Sequence, residues 1–239
     1  MRNRIAAFCL SLLLICLLPF SFVNAQTDTL RVMAYNVLYY GANPHCQGPI
    51  STYHNYLKQI VAFANPDIIG LEKMGSIPTS PSDFTATAPK GFGDSVLQYA
   101  LNAAFADRYA YCPFTNATQA DNVSLLFYNK QKLGFVAITS SYERITDFNT
   151  YKLYYKDPNL STTHDTTFLY ITLNHDQSGS ESIRDTQIAN EMVHIKNHFI
   201  HLPNMINMGD FNTHSSNEGC YQVLVAPADT NFKFYDPPF

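Results

Sequence analysis

Apolar positions along the chain recur with two spacings, and these predict the elements. Residues 30–38 (Leu-Arg-Val-Met-Ala-Tyr-Asn-Val-Leu) are β-branched and aromatic, and Gly41 and Pro44 close the run, so they predict a buried strand. Tyr53, Tyr56, Leu57, Ile60, Val61 and Ala64 then recur at helical spacing over 52–64, with Ser51 or Thr52 available as a cap. Asn65-Pro66-Asp67 stops that helix, and Ile68 to Leu71 form a short second strand. Residues 75–93, rich in Pro, Gly, Ser and Thr, read as a loop. Val96, Leu97, Ala100, Leu101, Ala104 and Phe105 mark a second amphipathic helix over 94–106.

Strand-like runs follow at 122–128, 134–142 and 166–173. Asn129 to Leu133 read as the turn of a hairpin, and the polar, Tyr-rich residues 144–165 as an irregular excursion. Ile188, Met192, Ile195 and Phe199 line one face of a helix over 181–200. Residues 204–208 form a short buried strand, and 218–226 a final short helix. Strands and helices alternate without an internal repeat or a linker, which points to one layered α/β domain.

Residues 1–25 change this picture at one end. Arg2 and Arg4 precede an apolar stretch from Ile5 to Leu18, Pro19 breaks it, and Val23-Asn24-Ala25 offers small residues before a cut at Gln26. This is the pattern of a secretory signal peptide; an uncleaved anchor is the alternative, but the run is shorter than the ~20 residues that span a bilayer. The expected mature domain is 26–239, exported to a secreted or periplasmic location, monomeric and not inserted in the membrane. Hydrophobic residues make up 46% of the 239-residue chain and charged ones 14%, which excludes disorder and coiled coil. The net charge of −4 becomes −6 once Arg2 and Arg4 are removed, so any polyanion must be met locally rather than by a basic surface. Cys46, Cys112 and Cys220 remain, an odd number that leaves room for one bridge at most.

The sharpest chemical signal is Met208-Gly209-Asp210-Phe211-Asn212. An apolar strand delivers a glycine, a carboxylate and an amide into a turn. The carboxylate can hold a hard cation or orient water, and the amide can meet a phosphate oxygen; an ordinary side-chain-capped turn is the bland reading. Leu173-Asn174-His175-Asp176-Gln177-Ser178-Gly179 places His175 at a strand end before a loop, where a general acid or phosphate donor is useful and where a hydrogen-bonded histidine is also common. Asn36, a polar amide in a buried run, either bonds backbone or reaches a metal-bound water.

Taken in order, the stretches RVMAYNVLYY, NPDIIGLEKM, NVSLLFYNKQKL, LYITLNHDQSGSESIRDTQIANEM and INMGDFNTHSSNEGCYQVL resemble the endonuclease/exonuclease/phosphatase superfamily, the DNase I-like metal-dependent phosphodiesterases. The resemblance spans roughly residues 30–225. It implies a two-sheet, four-layer α/β sandwich with a site at the strand ends of one edge. It implies metal ligands at Asn36, Glu72 and Asp210, catalytic roles for His175, Asp210 and Asn212, and a Mg²⁺ cofactor (or Mn²⁺ or Ca²⁺). The substrate it implies is a phosphodiester, with nucleic acid the first class to consider. Rival readings are a phospholipid or sugar-phosphate hydrolase of the same fold, and a non-catalytic binding module.

The chain departs from the family pattern twice. Where relatives read Leu-Gln-Glu with the Glu on the metal, this chain reads Leu71-Glu72-Lys73. In a regular strand that shift turns Glu72 to the opposite face, and a bulge near Gly70 would restore it. The family's closing Ser-Asp-His is absent before Phe239, so the expectation is a domain that lacks its last strands, inactive as residues 26–239 alone. Three other features have bland expectations. His194, His198 and His201 read as a solvated helix stripe rather than a zinc site, Arg184 and Asp185 as a helix-surface ion pair with bracing of the site near His175 as the alternative, and Asn116 and Asn122 as formal glycosylation acceptors.

Overall fold

The computed structural model of the chain describes residues 29–40, 48–75, 92–115, 122–142 and 147–236. The first sheet holds β1 (Val32–Tyr40), β2 (Ile68–Gly75), β3 (Tyr109–Tyr111) and β4 (Asn122–Asn129), ordered β1-β2-β4-β3. The second holds β5 (Leu133–Tyr142), β6 (Asp147–Tyr155), β7 (Phe168–His175) and β8 (Met205–Asp210), in that spatial order. Each sheet contains one parallel pair, β1 with β2 and β7 with β8, and its other pairings are antiparallel. A parallel pair needs a crossover. Helix α1 (Ile50–Ala64) makes the first, and α4 (Glu181–His198) the second. Between them lie α2, a helical segment of Phe92–Val96, a π turn over Leu97–Leu101 and Asn102–Ala104, and the short α3 (Leu160–Thr163); α5 (Gly219–Val225) comes last.

The alternation along each strand sorts the side chains into three cores. Ile69 and Leu71 of β2, with Leu125 and Phe127 of β4, face α1 and α2. Ile68 and Leu126, on the opposite face of the same strands, meet Tyr151, Ile171, Leu173 and Met208 between the sheets. Phe148 meets Ile188, Met192 and Ile195 of α4, together with Leu224 of α5. Helix, sheet, sheet and helix therefore form the four expected layers. Gly70 lies against the second sheet with no room for a side chain: a Cβ there would stand 2.5 Å from Leu173 and 2.7 Å from Met208. Each outer strand of the parallel pairs, β1 and β8, lies at a sheet edge. They frame an apolar groove of about 1000 Å³ that Leu224 and Phe234 also line.

Several expectations need correction. Residues 129–133 are not a hairpin turn, because β4 and β5 pair in different sheets and the turn carries the chain from one to the other. Residues 144–165 are not an irregular excursion: β6 is a central strand of the second sheet. Two of its polar side chains are buried and paired, with Asn149 Oδ1 accepting from Ser140 Oγ at 2.8 Å and Thr150 bonded to Thr172 at 2.9 Å. Neither Ser51 nor Thr52 caps α1, which starts after Pro49 with no side-chain cap. Its other end closes as expected, with Asn65 left-handed at φ 48° and its N–H on Val61 O. Helix α4 ends at His198, so His201 lies beyond it. His194 and His198 stack with ring centroids 4.3 Å apart, and among the described residues no group of three or more His, Cys, Asp or Glu is placed to hold a metal ion. Cys112 and Cys220 are free, buried thiols in different cores; Cys46, like Asn116, lies outside the described residues. Among the described residues no helix is long and apolar enough to cross a membrane.

Candidate active site

The carboxyl ends of the two parallel pairs face each other, the place where strand ends and loops leave backbone and side chains free for a ligand. From the first pair come Asn36 and Glu72, adjacent in register. From the second come His175 and Asp210, also adjacent. One direct bond joins the two sheets there: Asn36 Nδ2 donates to Asp210 Oδ2 at 2.7 Å. Asn36 Oδ1 in turn accepts the Leu38 N–H at 2.9 Å, which fixes the amide's orientation.

Asp210 is held from both sides. Its Oδ1 accepts the Asn212 N–H at 3.0 Å, and its backbone carbonyl accepts from Asp176 N at 2.9 Å. Asn212, left-handed at φ 48°, donates Nδ2 to Asp176 O at 2.8 Å, which closes the turn across β7. Gly209 makes the close approach possible. Its φ is +136°, and a Cβ there would lie 2.0 Å from Asn174 O, a backbone atom that cannot move aside. The Gly-Asp-x-Asn pattern thus positions one carboxylate and one amide against the neighbouring strand.

Glu72 shares a face with Ile68 and Gly70 and so looks towards the second sheet. The bulge lies further along than expected, at Glu72–Lys73, between Leu71 opposite Leu125 and Met74 opposite Val123. Glu72 is almost fully buried, and its Oε1 has no hydrogen-bond partner among the described residues. Burial pushes its carboxyl up to about 8, with a smaller upward push from the charge of Asp210. His175 is buried as well. Burial holds its imidazole below the ordinary value, the Asp210 charge pulls it back up, and Lys73 adds to the depression. That direction favours the neutral imidazole, which keeps one N–H to donate.

The sequence reading offered bracing only as the alternative for Arg184 and Asp185, and it singled out none of their partners behind these residues. Asn174 Nδ2 donates to Glu191 Oε2 at 3.0 Å and to Asn207 Oδ1 at 2.7 Å, which ties β7 to α4 and β8 beside His175. Arg184 is not on a helix surface. It is buried, donates Nη2 to Glu218 Oε2 at 2.7 Å and Nη1 to Gln177 O at 3.1 Å, and so pins the loop that follows His175. Asp185 accepts the Cys220 N–H at 2.6 Å, which anchors α5 rather than an ion pair. The signal available in the sequence was only that these charges open the helix after the His175 loop.

A hard divalent cation fits this donor set. Mg²⁺ asks for one or two protein carboxylates and fills its remaining positions with water and substrate. Glu72 and Asp210 supply the carboxylates. A buried carboxylate oxygen without a partner, beside a second carboxylate, is the arrangement that a cation would satisfy.

No protein-family model matches the chain, and no curated protein matches it by sequence. Solved structures do. An endonuclease/exonuclease/phosphatase family protein from Bacteroides thetaiotaomicron superposes with a TM-score of 0.54 at 14% identity, over 82% of this chain and 68% of its own. The mannosyl-6-phosphatase Bt3783 of the same organism gives 0.53 at 14%, over 81% and 69%. ANGEL2, a 2′,3′-cyclic phosphatase, gives 0.55 at 14%, over 81% and 55%. At such identities the likeness is one of fold, and the chain has the DNase I-like α/β sandwich of the endonuclease/exonuclease/phosphatase proteins.

Proposed function

We propose that this chain is an exported phosphoester hydrolase that works with a divalent cation, Mg²⁺ first, held by Glu72 and Asp210. The observation that carries the reading is the buried, unpartnered oxygen of Glu72 beside Asp210, at the facing ends of two parallel strand pairs. When bound, the cation neutralises phosphate charge and favours attack by water. Asp210, fixed by Asn36 and by the Asn212 N–H, is oriented to accept a proton from a water and align it. Neutral His175 donates its N–H to a phosphate oxygen or to the leaving group. Asn212 spends one amide hydrogen on Asp176 O and keeps its amide oxygen and second hydrogen for the ligand. The fold neighbours named above include a mannosyl-6-phosphatase and a 2′,3′-cyclic phosphatase, which is consistent with phosphoester chemistry on this scaffold.

Nucleic acid is the substrate class we assign first, with sugar phosphates and 2′,3′-cyclic phosphates as the competing arms of the test. The complete gene product, given Mg²⁺, is expected to hydrolyse one of these three, and Asp210→Ala to lower kcat by about 10³-fold. Hydrolysis that survives unchanged in both Asp210→Ala and His175→Ala would place the chemistry elsewhere.

A further inference from the structure

Lys73 stands where the backbone of two strands is distorted together. Three residues of β1, Val37 to Tyr39, lie opposite Lys73 alone, between the Asn36–Glu72 and Tyr40–Met74 pairs. On β2, Glu72 and Lys73 lie opposite the single Ser124. Leu38, Tyr39 and Lys73 are all left-handed, at φ 45°, 60° and 60°. None is an Asn or Asp that relieves this geometry through its own side chain, so the backbone here is strained. The distortion keeps Met74 in the outer core with Leu71 and leaves Lys73 at the strand ends beside Glu72.

The ammonium there is unspent. Nζ lies 4.7 Å from the centroid of the Tyr39 ring, and among the described residues no carboxylate lies within ion-pair distance of it, although Glu72 is its neighbour in sequence. An aromatic face holds a cation without neutralising it. Lys73 is half-buried, so part of its hydration is already gone, and its field reaches His175. A metal ligand would have to be an electron-pair donor, which an ammonium is not. A fixed cation at the mouth of a site that already holds two carboxylates suits a ligand that brings negative charge of its own.

We propose that Lys73 is a phosphate-binding residue, its ammonium held over the Tyr39 ring so that it meets a non-bridging oxygen of the substrate's phosphate. The proposal rests on the reading of this site as a phosphoester site, and it makes Lys73 a substrate ligand rather than a damaged metal ligand. The probe is inorganic phosphate, titrated calorimetrically into the full chain in excess chelator, so that no divalent cation contributes. The unsubstituted protein binds phosphate. Lys73→Met weakens it about tenfold, Lys73→Arg stays within about threefold, and Tyr39→Leu falls between. Asp210→Ala has the opposite sign and tightens phosphate, because a repelling carboxylate is removed. Far-UV circular dichroism and melting temperature verify that each variant is folded. Equal affinity in Lys73→Met and the unsubstituted protein overturns the role of Lys73 alone. No phosphate binding by the unsubstituted protein overturns it together with the phosphate site. Phosphate binding that depends on Lys73, without hydrolysis of any substrate arm, leaves Lys73 as a ligand and overturns only the hydrolase reading.

Discussion

Single side chains show how the site divides its labour. Asn36 touches Asp210 and no other described side chain by hydrogen bond, so its work is to aim that carboxylate. Asn36→Ala is expected to lower kcat ten- to a hundredfold with little change in stability, as loss of an outer-shell partner does. Glu72 sets the pH dependence. Its folded carboxyl keeps a proton up to about pH 8, against an ordinary value of 4.5. Between those values the cation-free folded state holds a proton that the unfolded state has lost, so its stability falls as pH rises. The loss is complete above about pH 8 and is on the order of a few kcal/mol. Under the proposed function Mg²⁺ would have to displace that same proton. Its affinity is therefore expected to weaken about tenfold per pH unit below 8, and titrations at pH 6.5 and 7.5 measure the difference. Asn36, His175, Asp210 and Asn212 were legible because each interrupts an apolar run near a strand end. Lys73 was legible as a departure from a pattern, but not as a left-handed residue stacked on Tyr39, since strand alternation alone cannot locate a bulge.

The elements explain why those side chains arrive together. Each parallel pair with its helix is a strand–helix–strand unit, and the two units present their carboxyl ends to one another. Gly209 marks a close backbone approach within the second unit. Gly209→Ala would drive a methyl group into the Asn174 carbonyl, and a loss of about 3 kcal/mol or more is expected in denaturant titration, together with loss of activity. The Arg184–Glu218 pair is the clamp on the loop after His175. Their side chains are largely covered, so Glu218→Ala leaves the guanidinium with backbone carbonyls alone and is expected to lower the melting temperature, read by circular dichroism. The helices and most strands were readable from spacing because one face of each is apolar. Strand β6 was not. It is covered on both faces, and its buried Asn149 and Thr150 look like loop residues until Ser140, Thr115 and Thr172 are seen to satisfy them. The change of sheet between β4 and β5 was equally hidden, because the short connection over 129–133 suits a hairpin as well as a crossing.

At the scale of the whole molecule, the sandwich separates stability from chemistry. Three apolar cores hold the four layers, and the polar cluster sits at the ends of the strands, where those cores stop. The net charge of −4 offers no long-range attraction for a phosphate-bearing ligand, so under the proposed function recognition would fall to a cation between Glu72 and Asp210, to His175 and to Lys73. The claim that binds the account together is that two facing strand–helix–strand units build one cation site. Calorimetric titration of Mg²⁺ into the complete gene product tests it most directly. The account predicts one bound ion, released protons, and affinity at least tenfold weaker in Glu72→Gln and in Asp210→Asn, two variants from opposite sheets. No binding of Mg²⁺, or binding that either variant leaves unchanged, would contradict it.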